Sequence, residues 1–237
     1  MDFRQTYCFD DLLLVPKYSD IKSRSEVDLS SNLSTDIGLN LPVISSPMDT
    51  VTESSMAIAM QAFGGLGIIH RYNTIDEQVA LVRDARMKGE NHVGAAIGVT
   101  GDYEERSCML YDAGARIICL DIAHGHHAMM KSAIKNLKKV FGDDVHIMAG
   151  NVASLEAFDD LSKWGADSIR VGIGGGSICS TRIVTGHGVP TLQSVLDCSR
   201  SVYGTKIIAD GGIKTTGDVV KAIAAGADFV IVGSMLA

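Results

Sequence analysis

The chain has 237 residues, 46% of them hydrophobic and 21% charged, and a formal net charge of −7. That is enough apolar material for a substantial core and too much for a disordered chain. The acidic balance, with Lys and Arg nowhere run together, argues against nucleic acid or an anionic membrane surface as the main partner, while a locally positive site could still take a small anion. The opening Met1-Asp2-Phe3-Arg4 lacks the regions of a signal peptide, and no apolar run reaches the length of a membrane span. The five cysteines (8, 108, 119, 179, 198) are odd in number, scattered and never spaced C-x-x-C. Free thiols, no zinc site and a cytoplasmic enzyme are the expectation.

Along the chain, short apolar runs alternate with helical patterns. PVISSP (42–47) is followed by TESSMAIAMQAFG, read as a helix with a Thr-x-x-Ser cap at Thr52 and a stop at Gly64. GLGIIH (65–70) leads into TIDEQVALVRDARMKG, with Thr74 at the cap, Glu77 three residues on and Gly89 as the stop. VGAAIG (93–98) precedes the helical ERSCMLYDAGAR, and RIICLDI (116–122) and HIMAGN (146–151) follow. SLEAFDDLSKWGAD leads to SIRVGI (168–173), and KIIAD (206–210) to TTGDVVKAIAAGAD and FVIVGS (229–234). These eight runs are apolar throughout, as strands buried on both faces should be. Eight strand–helix units in a chain of this size fit an α/β fold of the TIM (β/α)8 type better than an open doubly wound sheet, which would show G-x-G-x-x-G after its first strand. Residues 1–237 read as one catalytic domain, with no eighth helix after the last strand.

In such a barrel the site lies at the C-terminal strand ends. Polar and glycine residues gather there: Ser46-Pro47-Met48-Asp49, His70-Arg71, Asp121, Asn151, Gly172 to Cys179, Asp210-Gly211-Gly212 and Gly233-Ser234. The last two turns suit a phosphate held by backbone N–H groups, with Ser177 and Ser234 as hydroxyl donors and Asp210 as an acceptor for ribose hydroxyls. Among the cysteines, Cys119 reads as core, Cys108 and Cys198 as helical, and Cys8 as part of an N-terminal arm. Cys179 alone sits in a glycine-rich loop, VGIGGGSICSTR, beside Thr181 and Arg182. It is either an inert thiol or a nucleophile. DIAHGHH (121–127) offers Asp-x-x-His-x-His as a divalent-metal reading; the alternative gives Asp121 to the reaction or a cofactor and the histidines to the rim.

FDDLLLVPKYSDI, ISSPMDTVTE, GGLGIIHRYNTIDEQ, VGAAIG, DIAHGH, AGNV, VGIGGGSICSTR and IIADGGIKTTGDVVKAIAAGAD, in this order, resemble the IMP dehydrogenase and GMP reductase family over nearly the whole chain. The cysteine loop is the most specific piece. It departs from the family pattern at Gly175, where proline is usual and whose flexibility should loosen the loop, and at Ser180, where threonine is usual. The resemblance implies that Cys179 attacks C2 of a purine nucleoside monophosphate (IMP, XMP or GMP), with NAD or NADP as cofactor, and that Thr181 helps activate water or the leaving group. It gives Ser46, Met48 and Asp210 to purine and ribose, and Ser177, Gly212, Gly233 and Ser234 to the phosphate. Asp121, His124, Asn151 and Arg170 resemble positions that meet the nicotinamide half of the cofactor. Backbone carbonyls of Gly174, Gly176 and Cys179 match a monovalent-cation site, occupied by K+ in the dehydrogenase, and family barrels assemble as homotetramers.

Most dehydrogenases of the family carry a CBS pair after the second barrel helix; here the chain passes directly to VGAAIG. That is usual for the reductase and occurs in some dehydrogenases. SSPMDTVTE, VGAAIG and GHGVP look more like the dehydrogenase, and TLQSVLDC leans to the reductase. IMP dehydrogenase is therefore the expected activity and GMP reductase the alternative, with the family's deciding flap falling after Ala237. A non-redox phosphate-binding barrel is the reading from a different class. It usually needs a strand-end lysine or carboxylate base, and Lys206 begins its strand at the wrong end.

Overall fold

The computed structural model describes residues 4–88, 92–176 and 180–237. A short antiparallel pair, β1 (Ser31–Asn32) and β2 (Gly38–Leu39), precedes eight parallel strands. These are β3 (Val43–Ser45), β4 (Leu66–Ile69), β5 (Val93–Ile97), β6 (Ala115–Asp121), β7 (His146–Val152), β8 (Ser168–Val171), β9 (Lys206–Asp210) and β10 (Phe229–Val232). Each corresponds to one of the eight apolar runs. β10 pairs with both β9 and β3, so the sheet closes into a barrel and the open doubly wound sheet is excluded.

Helices fill the seven connections between barrel strands. In chain order they are α1 (Ser54–Ala62), α2 (Ile75–Lys88), α3 (Tyr103–Asp112), α4 (Ala128–Phe141), α5 (Leu155–Trp164), α6 (Thr181–Thr185), α7 (Thr191–Cys198) and α8 (Thr216–Ala224). Capping boxes open α2 and α8: Glu77 accepts from the Thr74 N–H at 2.9 Å, and Asp218 accepts from the Thr215 N–H at 3.0 Å. Gly114, Gly165 and Gly226, from the repeated Gly-Ala signals, take left-handed φ values of 110°, 107° and 112° and stop their helices. Gly89, read as the stop of α2, lies outside the described residues. The Thr52 cap is corrected: α1 is capped at Glu53, and the Thr52 hydroxyl instead donates to the Ser46 carbonyl at 2.6 Å, tying the β3 end to the helix start. α4 buries Met130, Ala133, Ile134, Leu137 and Phe141 on one stripe. Its cap is a histidine, His127, whose ring accepts from the Met129 N–H at 3.1 Å, so the usual Ser/Thr/Asp signal is missing there.

Side chains alternate across the barrel wall as period-2 geometry requires. Ile118, Leu120, Ile147, Ala149, Ile169 and Val171 belong to the layer between strands and helices. Ile44, Leu66, Ile68, Ile117, Cys119, Met148, Ile208 and Phe229 pack inside the barrel. Leu33, Ile37 and Leu39 of the β1–β2 hairpin join that interior cluster, so the hairpin plugs the floor. At about 25 cal/mol per Å2, these wholly buried side chains supply the main drive for closure.

His146, at the floor end of β7, is 5% exposed and its Nε2 lies 2.8 Å from Ser168 Oγ. Burial, partly opposed by Asp167 and reinforced by Lys138, pushes its pKa from 6.5 down to about 4. An unfolded chain takes up that proton first as the pH falls, so the stability linked to a neutral His146 is intact above pH 6.5 and is lost between 6.5 and 4. Over pH 6.5 to 5 this titration should remove about 2 kcal/mol. Urea melts should show that slope for the parent chain and a flatter one for His146→Gln.

Candidate active site

At the roof of the barrel the inward-facing positions of β6, β8 and β9 are Asp121, Arg170 and Asp210, and they form one ionic cluster. Arg170 is 6% exposed. Its Nη1 donates to Asp121 Oδ1 at 2.6 Å, and its Nη2 and Nε donate to Asp210 Oδ2 at 2.7 and 3.0 Å. Burial opposes its charge, but Asp210 and then Asp121 outweigh that and hold its pKa well above the usual guanidinium value. Gly150 faces Arg170 from β7; a Cβ there would stand 2.6 Å from the Arg170 Cβ, so the glycine makes room for the side chain.

Asn151 completes the cluster. The β7–β8 register shifts between Gly150 and Val152, and the bulge aims the Asn151 amide inward. Its Nδ2 donates to Asp210 Oδ2 at 2.7 Å and to the Gly172 carbonyl at 2.8 Å. All these donors meet Oδ2 of Asp210, and among the described residues none reaches Oδ1, which keeps its lone pairs for a ligand. Arg71 approaches Asp121 Oδ2 from the β4 end at 3.6 Å.

Two adjoining depressions open on this cluster. One, of about 210 Å3, is lined by Ser46, Met48, Asp210, Gly211–Gly212 and Gly233–Ser234. A Cβ on Gly233 would stand 3.4 Å from Met48 Sδ and 3.6 Å from Ser46 Cβ, which places the β10 turn against the β3 end. The other, of about 240 Å3, is lined by Tyr72, Asp121, Asn151, Arg170 and Gly174. Both share Ser46, Met48, Gly176, Asp210 and Gly211. A wider cavity of about 1060 Å3 opens at the floor, under the hairpin, but its lysines are matched by carboxylates: Lys138 by Asp167 at 2.8 Å and Lys206 by Asp228 at 2.9 Å.

The residues expected at the site therefore divide. Ser46, Met48, Asp210, Gly212, Gly233 and Ser234 come together around one depression, and Asp121, Asn151, Arg170, Gly174 and Gly176 line the other or both. Arg170 holds the two carboxylates, which is more than a contact to a cofactor. Thr181 begins α6, next to the loop. Ser177 and Cys179 lie outside the described residues. His124 is exposed, 6.5 Å from the His126 ring, and lines neither depression. The divalent-metal reading of DIAHGHH finds no support: His126 bonds Asp160 at 3.0 Å, His127 caps α4, and no three-ligand group occurs among the described residues. Cys119 is core, its thiol pushed up to about 11 by burial, and Cys198 is likewise pushed up to about 12 by burial and then by Asp197. Cys8 and Cys108 are exposed. Tyr72 lines the second depression and Thr191 packs against the loop; both lie in stretches that resemble the family, but neither was singled out as a site residue.

This is a (β/α)8 site with a glycine-rich segment, Gly172–Gly176, after its sixth barrel strand. The IMP dehydrogenase / GMP reductase domain model matches residues 6–237, and the chain belongs to that family. It is 35% identical to an inosine-5'-monophosphate dehydrogenase of Nitrosopumilus maritimus, over 100% of this chain and 76% of that protein. It is 32% identical to a GMP reductase of Leishmania major, over 97% of this chain and 74% of the relative. The crystal structure of inosine 5' monophosphate dehydrogenase from Legionella pneumophila superposes with a TM-score of 0.91 at 47% identity, covering 98% of this chain and 70% of that one.

Removing the cation leaves two buried carboxylates facing each other. Arg170→Met is expected to destabilise the fold by roughly 3 to 5 kcal/mol, read by chemical denaturation, with Arg170→Lys between it and the parent because lysine cannot bond both carboxylates in a fork.

Proposed function

We propose that the chain oxidises IMP to XMP with NAD and water. The observation that carries this reading is the adjacency of the two depressions, which share Ser46, Met48, Gly176, Asp210 and Gly211 next to the residues that flank Cys179. A reaction that moves hydride between two ligands needs two adjoining spaces, with the activating nucleophile between them.

In the first space, backbone N–H groups of Gly212, Gly233 and Ser234, with Ser177, take the phosphate, and glycine lets its oxygens come close. Oδ1 of Asp210 accepts from the ribose hydroxyls while Oδ2 stays locked by Arg170 and Asn151. Ser46 and Met48 hold the purine. The thiolate sulfur of Cys179 adds to C2, and the C2 hydrogen leaves as hydride. Asp121 and Asn151, which line the second space, with His124 outside it, would hold a nicotinamide, and that group when bound would supply the hydride acceptor. Water then displaces the sulfur from C2 to give XMP, with Thr181 ordering the water. The depression beside Asp121 and Asn151 is the size of a ring and ribose and offers polar groups on its wall, so the residues present fit that half of the cofactor. Carbonyls of Gly174, Gly176 and Cys179 form the candidate K+ site; Gly174 takes a left-handed φ of 84°, a conformation suited to turning carbonyls inward.

The second reading, GMP reduction with NADPH to IMP and ammonia, uses the same sulfur and both spaces, and the reductase relative supports it. We place the enzyme in the cytoplasm as one catalytic barrel with no inserted CBS pair, assembled as a homotetramer. No helix among the described residues is long and apolar enough to cross a membrane.

The assay is absorbance at the reduced-nicotinamide band with IMP plus NAD, then GMP plus NADPH. A rise with the first pair only is expected, abolished in Cys179→Ala; a response to the second pair alone assigns the reductase, and equal activity in Cys179→Ala refutes both.

A further inference from the structure

Gly175 stands where the family pattern has proline, and the structure shows what occupies the space. Thr191, the first residue of α7, is 3% exposed, and its Oγ1 donates to the Asp210 main-chain carbonyl at 3.4 Å. A Cβ built on Gly175 would collide with that hydroxyl oxygen, far inside van der Waals contact. The next nearest atom is the Gly211 carbonyl oxygen, at 3.4 Å, which is ordinary contact. Gly175 has no left-handed φ, so its backbone would accept an alanine. The obstacle is one hydroxyl group.

The same hydroxyl lies 3.1 Å from where a Cβ of Gly172 would be. Gly212 faces the Gly175 carbonyl, and Gly211 faces the Gly176 N–H, each too closely for a side chain without movement. The segment before Thr191 is pinned to the loop by the Val189 N–H, which donates to the Ile173 carbonyl at 3.1 Å. Thr191 therefore places its side chain where the loop after β8, the β9 end and the start of α7 converge.

We propose that Thr191 is a positioning residue: its hydroxyl sets the seat of the glycine-rich loop against the Asp210–Gly211 backbone, and Gly175 is the partner that seat requires. The proposal rests on the nucleotide reading above, because the loop carries Cys179. It makes loop position in this chain a matter of a matched pair, Gly175 with Thr191, in place of a stiff ring at 175.

The test is a set of five proteins: parent, Gly175→Ala, Thr191→Ala, Thr191→Ser and the Gly175→Ala/Thr191→Ala double variant. Each is scored for melting temperature, for kcat and KM toward IMP, and for the IMP concentration that half-protects Cys179 from iodoacetamide, read by peptide mass. Gly175→Ala should lower kcat/KM by roughly tenfold or more and weaken protection to match. The double variant should return to within about threefold of the parent, since the colliding oxygen is gone. Thr191→Ser keeps the hydroxyl and should keep parent kinetics, whereas Thr191→Ala should lose several-fold in kcat/KM with little change in melting temperature.

A Gly175→Ala protein equal to the parent, or a double variant as impaired as Gly175→Ala, overturns the proposal. Should Gly175→Ala fail to fold, a folded and active double variant supports the proposal and an unfolded one contradicts it. If the parent shows neither IMP turnover nor protection, the functional reading has failed. The pairing is then judged by melting temperature alone: lowered in Gly175→Ala and recovered in the double variant supports it, anything else refutes it.

Discussion

The roof of this barrel depends on one buried cation. Arg170 stands among wholly buried strand residues and is held there by two carboxylates, Asp210 from the adjacent β9 and Asp121 from β6, across β7. Taking a charge out of water costs several kcal/mol, and paired geometry offsets it. The arrangement has a functional consequence: among the described residues the Asp210 carboxylate is bonded through Oδ2, by three donors from Arg170 and Asn151, so its Oδ1 is held in one direction. A carboxylate that must read a ribose hydroxyl gains affinity from being held in advance of binding. Gly150 belongs to the same design, since any side chain there would displace the guanidinium.

The second constraint is steric. The glycines after β8 and β9 approach one another backbone to backbone closely enough that side chains would intrude. Ordering so many glycines is entropically expensive, and the close approach of the Gly172–Gly176 and Asp210–Gly212 backbones is the return on it. Thr191 is the side chain that stands over Gly175 at this junction, which is what lets its hydroxyl govern the seat of the loop.

Much of this was legible in the residues. All eight strands announced themselves as continuous apolar runs, because a strand buried on both faces has no polar period to blur it, and the strand ends named most of the site. Other features lay beyond local pattern. The Thr52 cap failed because its hydroxyl found a better acceptor in the Ser46 carbonyl, a tertiary contact that the cap motif cannot foresee. α4 was overlooked because a histidine caps it. DIAHGHH left a metal reading open, and only the fold shows two of its three rings engaged elsewhere: His126 over Trp164 at 5.9 Å and beside Asp160, His127 at a helix start. Sequence distance hides that Asp121 and Asp210, on either side of Arg170 in the barrel, take up its donors. Thr191 opens TLQSVLDC, a stretch read only for its family likeness; its place against Gly175 appears only in the fold.

The decisive measurement is a crystal structure of the protein soaked with IMP. The account predicts phosphate oxygens on the main-chain nitrogens of Gly212, Gly233 and Ser234, a ribose hydroxyl on Oδ1 of Asp210, and the Cys179 sulfur in line with purine C2. A nucleotide seated instead in the cavity beneath the β1–β2 hairpin, or one whose purine lies on the far side of the Asp210–Arg170 pair from that sulfur, would contradict it.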